Sequence, residues 1–308
     1  MRVVVNHPYK NPPSSPPSEI QWTRGELLGK GSYGEVFVGI PKPPNPPPLM
    51  AVKSAPEYDA KSLKLERRIL ANFSRNPNII QYFGAQTTEH GGHRTYNLLL
   101  EYAPGGSLSN FIAKRRRGIP EIHVRVCTRM ILEALSCIHS RGYVHCDIKP
   151  DNILVFEGAG GEHSSLCRLK VADFGAAVEI SKQSGGREKL GVRGTVRYMA
   201  AEVAAAGMVS TAMDIWALGC TVVEMITRKR PWKGLEKEEV MARLAEGRHP
   251  DIPAGLSAEG RDFLEECFVT SCVKRATADS VLNHPFVARC DGSAQQEADI
   301  TPPAHSNS

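Results

Sequence analysis

The stretch ELLGKGSYGEVFVGI, Glu26 to Ile40, alternates apolar and polar residues on both sides of a glycine-rich turn, so one strand leads into the glycines and another leaves them. That order excludes the dinucleotide-binding βαβ arrangement, in which a helix must follow the glycines. Gly29, Gly31 and Gly34 let the backbone approach phosphate groups with no Cβ in the way. A glycine pattern alone is weak evidence, and the rest of the chain must decide what the turn covers.

A second stretch narrows the choice. HCDIKPDN, His145 to Asn152, lies between an amphipathic segment, Ile122 to His139, and an apolar run, Ile153 to Phe156, which predicts a tight loop between a helix and a strand. The helix offers Ile122, Val126, Met130, Ile131, Leu135 and Ile138 as its core positions. The loop gathers three groups suited to phosphoryl transfer onto a hydroxyl. Asp147 is a carboxylate to accept the proton, Lys149 an ammonium to hold the moving phosphate, and Asn152 an amide oxygen to ligate a hard cation. Such a segment can also be a solvated turn. Its pattern resembles the protein-kinase catalytic loop H-R-D-L-x-x-x-N, with Cys146 where the pattern has Arg.

The 308 residues are enough for two lobes with separate cores, and 41% hydrophobic with 23% charged residues is ordinary for a globular chain. A net charge of +5 is too small to argue for nucleic acid and suits a protein that handles polyanionic nucleotides. The eight cysteines are scattered without paired C-x-x-C spacing, which fits a reduced cytoplasmic or nuclear setting better than a disulfide or zinc framework. The longest apolar stretch, Ile215 to Ile226, is too short and too polar to span a bilayer, so no membrane segment is expected. A monomer is the expected state.

With the resemblance in hand, the remaining motifs fall into order. The glycine turn, Leu28, Gly29, Lys30, Gly31, Ser32, Tyr33, Gly34, Glu35 and Val36, would cover ATP, with Leu28 and Val36 against adenine. In LMAVKSA, Ala51 lies beside the adenine and Lys53 takes the place of the lysine that grips the α- and β-phosphates. Glu66 shares a helix face with Leu63, Leu70 and Phe73, and a carboxylate on a buried face needs a partner. The resemblance implies that the partner is Lys53; the plainer reading is a carboxylate at the stripe's edge reaching water. LLLEYAPGGSL resembles the hinge, with Leu100 as gatekeeper and the backbone of Glu101 to Ala103 against adenine. Leu154 would complete the adenine column with Val36 and Ala51.

Asp173, Phe174 and Gly175 match the D-F-G element, so Asp173 and Asn152 are the implied magnesium ligands. Tyr82, Leu70, Phe174 and His145 would stack as an internal column anchored by Asp214, making His145 a packed histidine and not a base. Residues Ala176 to Glu202 form the implied activation segment, with Ser181 and Ser184 as candidate phosphorylation sites and Thr195 expected to hydrogen-bond Asp147. GTVRYMAAE has Ala201 where the family has proline, which should loosen that turn while leaving Glu202 to pair with Arg275. Strands Ile79 to Gln86 and Arg94 to Tyr102, and a buried helix opened by Asp214, complete the reading.

Other features carry less. The Pro41 to Pro48 run is a surface loop that also suits SH3-type partners, KRRR at Lys114 to Arg117 is a solvated face, and His90 and His93 sit at a hairpin tip. Ser15-Pro16 lies in a tail with no core-forming residues.

The resemblance implies an α+β, bilobal protein-kinase-like fold. A small antiparallel-sheet lobe with one key helix would span residues 20–103 and a mainly helical lobe 104–290, between disordered tails 1–19 and 291–308. GTVRYMAAEV, VLNHPFV and the HCD loop are similar to plant MEKK-type mitogen-activated protein kinase kinase kinases. That likeness implies ATP and Mg2+ as cofactors and a MAP kinase kinase as substrate. Because Cys146 cannot pair with a phosphate as Arg would, activation should not depend on loop phosphorylation in the usual way. The alternative is a catalytically weak pseudokinase scaffold, motivated by Cys146 and Ala201.

Overall fold

The structure, a computed structural model, describes residues 20–31, 34–43, 48–74, 76–156, 168–181 and 185–288. Ser32, Tyr33, Ser184, both tails, residues 44–47 of the proline run and the Gly158 to Ser165 stretch lie outside the described residues. Two compact units emerge. One is built on the chain up to Glu57 together with Phe83–Tyr102, the other on Tyr58–Tyr82 together with Ala103 onward.

The first unit is an antiparallel sheet of β1 (Trp22–Gly31), β2 (Gly34–Pro41), β3 (Met50–Pro56), β4 (Tyr82–His90) and β5 (His93–Glu101), in the order β1-β2-β3-β5-β4. Period-two alternation fixes its register, because a slip of one residue would turn every apolar side chain to the wrong face. Val36 lies opposite Lys53 and Val38 opposite Ala51, while β5 sets Leu100 opposite Ala51 and Leu98 opposite Lys53. Met50, Val52 and Leu99 are fully buried with Ile20, Trp22 and Phe83 packed around them. Burying each such side chain is worth about 1.5–3 kcal/mol. Polar groups within the sheet are paired in turn. The Ser54 hydroxyl donates to Asn97 Oδ1 at 2.7 Å, and the Asn97 amide donates to Thr88 Oγ1 at 2.9 Å.

The strand predicted to begin at Ile79 begins instead at Tyr82. The reason is local. Asn78 N–H turns back to Asn76 Oδ1, the Asn78 carbonyl accepts from Val171 N–H, and Ile80 N–H donates to the Val171 carbonyl, so these backbone groups are spent before the sheet begins.

The second unit starts with α1 (Lys61–Leu70), followed by a single 3-10 turn at Ala71–Phe73. The predicted face is the buried one: Leu63, Glu66, Leu70 and Phe73 are all almost fully enclosed. There follow α2 (Leu108–Ala113), α3 (Glu121–Ser140), β6 (Tyr143–Val144), β7 (Ile153–Phe156), β8 (Arg168–Val171), β9 (Val178–Glu179), β10 (Arg187–Lys189), α4 (Ala201–Ala206) and β11 (Met208–Ser210). The chain ends with α5 (Thr211–Thr227), α6 (Lys237–Ala245), α7 (Ala258–Cys267), α8 (Ala278–Leu282) and α9 (Pro285–Ala288).

Of the six core positions read in the sequence for α3, Ile131, Leu135 and Ile138 are buried and Val126 and Met130 half-buried. Ile122 is exposed, and Val124, Cys127, Ile131, Ala134, Leu135 and Ile138 make the buried i, i+3, i+4 stripe. Cys127 and Ala134 are small enough to escape a pattern search for large aliphatic residues. Helix α5 begins three residues before Asp214, which sits in its first turn, and every residue from Ala212 to Met225 is buried. A helix apolar on all sides can only be central. Trp216 at its middle meets Phe268 edge-on at 5.3 Å.

Candidate active site

In the sheet unit the glycine-rich turn closes β1 onto β2. Gly34 has φ near 130°, and a Cβ there would stand 2.3 Å from the Ser54 carbonyl oxygen, so no other residue fits without moving β3. Lys30 and Glu35 pair across the turn at 2.7 Å, a solvated contact whose hydrogen bond and charge lower the Glu35 pKa and raise that of Lys30. Leu28 is exposed. Lys53 is only 8% exposed, Leu100 is buried beside half-buried Ala51, and Glu101 at the end of β5 is half-buried. Gly29, Gly31 and Val36 line the same hairpin. Glu66 lies in the second unit, as do Ala103 and Leu154.

In the second unit α3 delivers the chain, through β6, to the loop at His145. Asp214, 1% exposed, captures that loop: Oδ2 accepts from His145 N–H and Oδ1 from Cys146 N–H, both at 2.9 Å. His139 Nε2 donates to the same carboxylate at 2.8 Å. A buried carboxylate is tolerable only when so surrounded by donors. The capture holds Cys146 at φ 68°, a left-handed conformation that costs a non-glycine residue of the order of 1–3 kcal/mol. The Cys146 side chain is buried with its thiol toward the Val144 carbonyl at 3.6 Å. Burial pushes the thiol pKa far above its usual value, and the Asp214 charge adds to the rise against a smaller opposing effect of Arg193.

His145 is buried with both ring nitrogens engaged. Nε2 faces the Ala172 carbonyl at 3.0 Å, so it carries the proton, and Nδ1 accepts from Asp147 N–H at 3.3 Å. A histidine satisfied in this way has no lone pair for substrate.

Asp147 is the centre of the polar cluster. Its Oδ2 accepts from Lys149 Nζ at 2.8 Å and from Asn152 Nδ2 at 3.0 Å, and its Oδ1 accepts from the Thr195 hydroxyl at 2.7 Å. Lys149 Nζ also donates to Thr195 Oγ1 at 2.7 Å, and Asn152 Nδ2 to the Asp147 carbonyl at 2.8 Å. Both amide hydrogens of Asn152 are thus used, leaving its oxygen as the atom for a cation. Asp173, in the turn after β8, could offer a second hard oxygen; it stands at φ 62° with Oδ1 accepting from Gly175 N–H. An amide oxygen and a carboxylate fit the donor set of Mg2+.

Phe174 is fully buried, edge-on to His145 at 4.9 Å and stacked on Phe73 at 5.8 Å. Its N–H donates to Glu66 Oε1 at 3.2 Å, which ties the D-F-G turn to α1. Leu70 is buried nearby in sequence and Tyr82 is half-buried at the start of β4. Phe73 was read only as part of a helix stripe; its stacking partner is 101 positions away and leaves no mark in local periodicity.

The segment up to Glu202 is held at several points. Ser181 is exposed, with its N–H on Glu188 Oε1 at 2.8 Å. Gly194, at φ 85°, passes so close to the loop that a Cβ would meet the Cys146 carbonyl oxygen at 2.3 Å. Arg197, which the sequence reading did not single out, donates to the carbonyls of Trp232 at 2.8 Å, Leu235 at 2.9 Å and Pro231 at 3.2 Å. Backbone acceptors carry no residue signature, so this role was not legible. Ala201 takes the first position of α4, where proline's preset φ would also fit. Glu202 and Arg275 form a two-pronged pair at 2.7 and 2.8 Å, with the Arg275 side chain wholly buried over the Trp216 ring.

Comparison with known proteins agrees with this arrangement. The model of the protein kinase domain matches residues 22–287. The chain is similar to mitogen-activated protein kinase kinase kinase 20 of Arabidopsis thaliana, at 40% identity over 277 residues, covering 87% of this chain and 78% of that one. It is similar as well to kinase kinase kinase 17 of the same plant, at 38% identity with 87% and 70% covered, and to kinase kinase kinase 18, at 37% with 87% and 78% covered.

Proposed function

The chain belongs to the protein kinase family, as a serine/threonine kinase of the MEKK type, and from that premise we propose that it passes the γ-phosphate of ATP to serine or threonine hydroxyls of a MAP kinase kinase. The observation that carries the reading is the cluster around Asp147, in which Lys149, Asn152 and Thr195 all bond to one carboxylate.

In this reading Asp147 orients the acceptor hydroxyl and takes its proton as the new P–O bond forms. Lys149 steadies the transferred phosphate, and Thr195 holds Asp147 in one rotamer. Asn152 and Asp173 would hold Mg2+, which would neutralise charge on the phosphates. Gly29, Gly31 and Gly34 keep side chains away from the triphosphate, Lys53 answers its charge, and Leu28, Val36 and Ala51 line the adenine with Leu100 as gatekeeper. The substrate tier rests on the names of the similar proteins, each a kinase of a MAP kinase kinase. A cytoplasmic or nuclear monomer is the setting in which it would act, and the proline run remains a candidate for SH3-type partners. No helix among the described residues is long and apolar enough to cross a membrane.

The test is phosphate transfer from Mg·ATP by the purified chain to a MAP kinase kinase whose own site is inactivated, beside the Lys53→Met and Asp147→Asn variants. Transfer lost in both variants supports kinase and tier together. Transfer to a generic acceptor alone rejects the tier, and ATP binding with no transfer at all favours the scaffold reading.

A further inference from the structure

Between the end of α5 and the loop after α6 lies a cavity of about 470 Å3 that the mechanism does not use. Five cations line it, Lys229, Arg230, Lys233, Arg243 and Arg248, against a single carboxylate, Asp251. Arg248 is answered by Glu246 at 3.0 Å and Arg230 lies within electrostatic reach of Glu224. Lys229, Lys233 and Arg243 form no ion pair among the described residues and are exposed. Charges of one sign gathered on one concavity repel each other, and their field is focused there.

The rim is also held in a set shape. Arg228 and Trp232 stand at φ 58° and 59°, and the Trp232 indole N–H is buried with no acceptor. Such strain persists only where surrounding bonds over-determine it. At Arg228 they run from its guanidinium to the carbonyls of Arg116 and Ala113, and at Trp232 they come from Arg197, whose guanidinium ties the carbonyls of Pro231, Trp232 and Leu235 to the segment that follows Thr195. The cationic rim and the segment that carries Thr195 are therefore one braced piece.

We propose that this cavity is a docking site for an acidic peptide segment of the protein substrate, separate from the residues around the phosphorylated hydroxyl. The choice of partner rests on the proposed function. A cavity of about 470 Å3 is large enough to take a short stretch of a ligand, and cations that line one concavity suit a run of carboxylates on a peptide. Docking here raises the local concentration of substrate without touching the transfer step, so its signature is in KM and salt dependence.

The experiment uses the full chain with the Lys229→Glu/Arg243→Glu pair, two exposed positions outside the ATP and transfer machinery. KM for the inactivated MAP kinase kinase should rise about tenfold with kcat unchanged, while a short peptide carrying only the acceptor hydroxyl keeps both constants. A fluorescent ten-residue Glu/Asp-rich peptide should bind the wild type, weaken with added salt, and bind the reversed pair about tenfold less well. An unchanged KM for the protein substrate overturns the proposal, as does an equal loss with the short peptide, which would make the rim structural. Binding of an oligonucleotide or a phosphopeptide in preference to the acidic peptide also overturns it. If the wild type phosphorylates only a generic acceptor, the tier has failed, and the labelled-peptide measurement still decides the site.

Discussion

Thr195 donates its hydroxyl to Oδ1 of Asp147 across 2.7 Å, joining two residues 48 positions apart. The bond leaves the carboxylate one orientation, and Lys149 bridges the same two residues from the other side. Asp147→Asn should lower the rate of transfer by roughly 10²–10⁴, the range for a positioned base. Turnover within a few-fold of wild type would reject the role.

Thr195 acts through Asp147, so its loss should be milder and its rescue specific. Thr195→Val is expected to lower kcat about tenfold by freeing the carboxylate, and Thr195→Ser to restore most of it. Damage in Thr195→Ser with activity kept in Thr195→Val, read by steady-state kinetics, would show that the methyl group and not the hydroxyl matters.

Cys146 offers a thiol where a phosphate-binding guanidinium stands in the family pattern. Phosphatase treatment should leave most of the activity in place; activity abolished and then restored by rephosphorylation at Ser181 or Ser184 would sink this hypothesis. The same burial that raises its pKa keeps Cys146 protonated and enclosed, so iodoacetamide at neutral pH should alkylate half-buried Cys137 and Cys272 well before it. Peptide mass spectrometry gives the order directly.

Arg275 pairs with Glu202 while wholly buried, and truncating one member leaves the other charge without its partner. Arg275→Met should cost about 3–5 kcal/mol in unfolding free energy. Arg275→Lys should recover only part, because an ammonium cannot reproduce the two-pronged contact. Full stability of the lysine variant in urea titrations would contradict the importance of that geometry.

Glu121 opens α3 beside Arg125 and Ser257. Burial pushes its carboxyl upward, but the Ser257 side-chain and backbone hydrogen bonds and Arg125 together outweigh it, and the net shift is downward from 4.5. A carboxyl with a lowered folded pKa adds stability above its unfolded value and loses it as pH falls through the folded one. Glu121→Gln should therefore cost about 1–2 kcal/mol at neutral pH, with the gap to wild type closing as pH falls below the ordinary 4.5 and through the lowered folded value. A gap independent of pH would assign the effect to packing.

How much of this was legible in the sequence depended on whether the signal was local. The glycine turn, the His145 to Asn152 loop and the buried face of α1 are short-range patterns, and the structure places strands, loop and helix where those patterns put them. The α3 stripe was legible only at Ile131, Leu135 and Ile138, because small residues, Cys127 and Ala134, do core work that a search for large aliphatics overlooks. The strand that starts at Tyr82 was placed three residues early, at Ile79, because the backbone partners of Asn78 and Ile80, on Val171, lie far along the chain. Arg197 and Phe73 were invisible as site-shaping residues for the same reason: one binds carbonyls and the other stacks on a distant ring. The Thr195–Asp147 contact was anticipated only through family resemblance, since no periodicity relates residues 48 apart.

Gly194 offers no atom beyond its backbone to the Cys146 carbonyl, and that missing atom works as a datum point. Upstream, Arg187–Lys189 are already paired with Met208–Ser210, and the position of Thr195 is set a second time at this glycine. A single methyl group added at that point would lift the whole Thr195 to Glu202 segment off its seat, whatever precedes it.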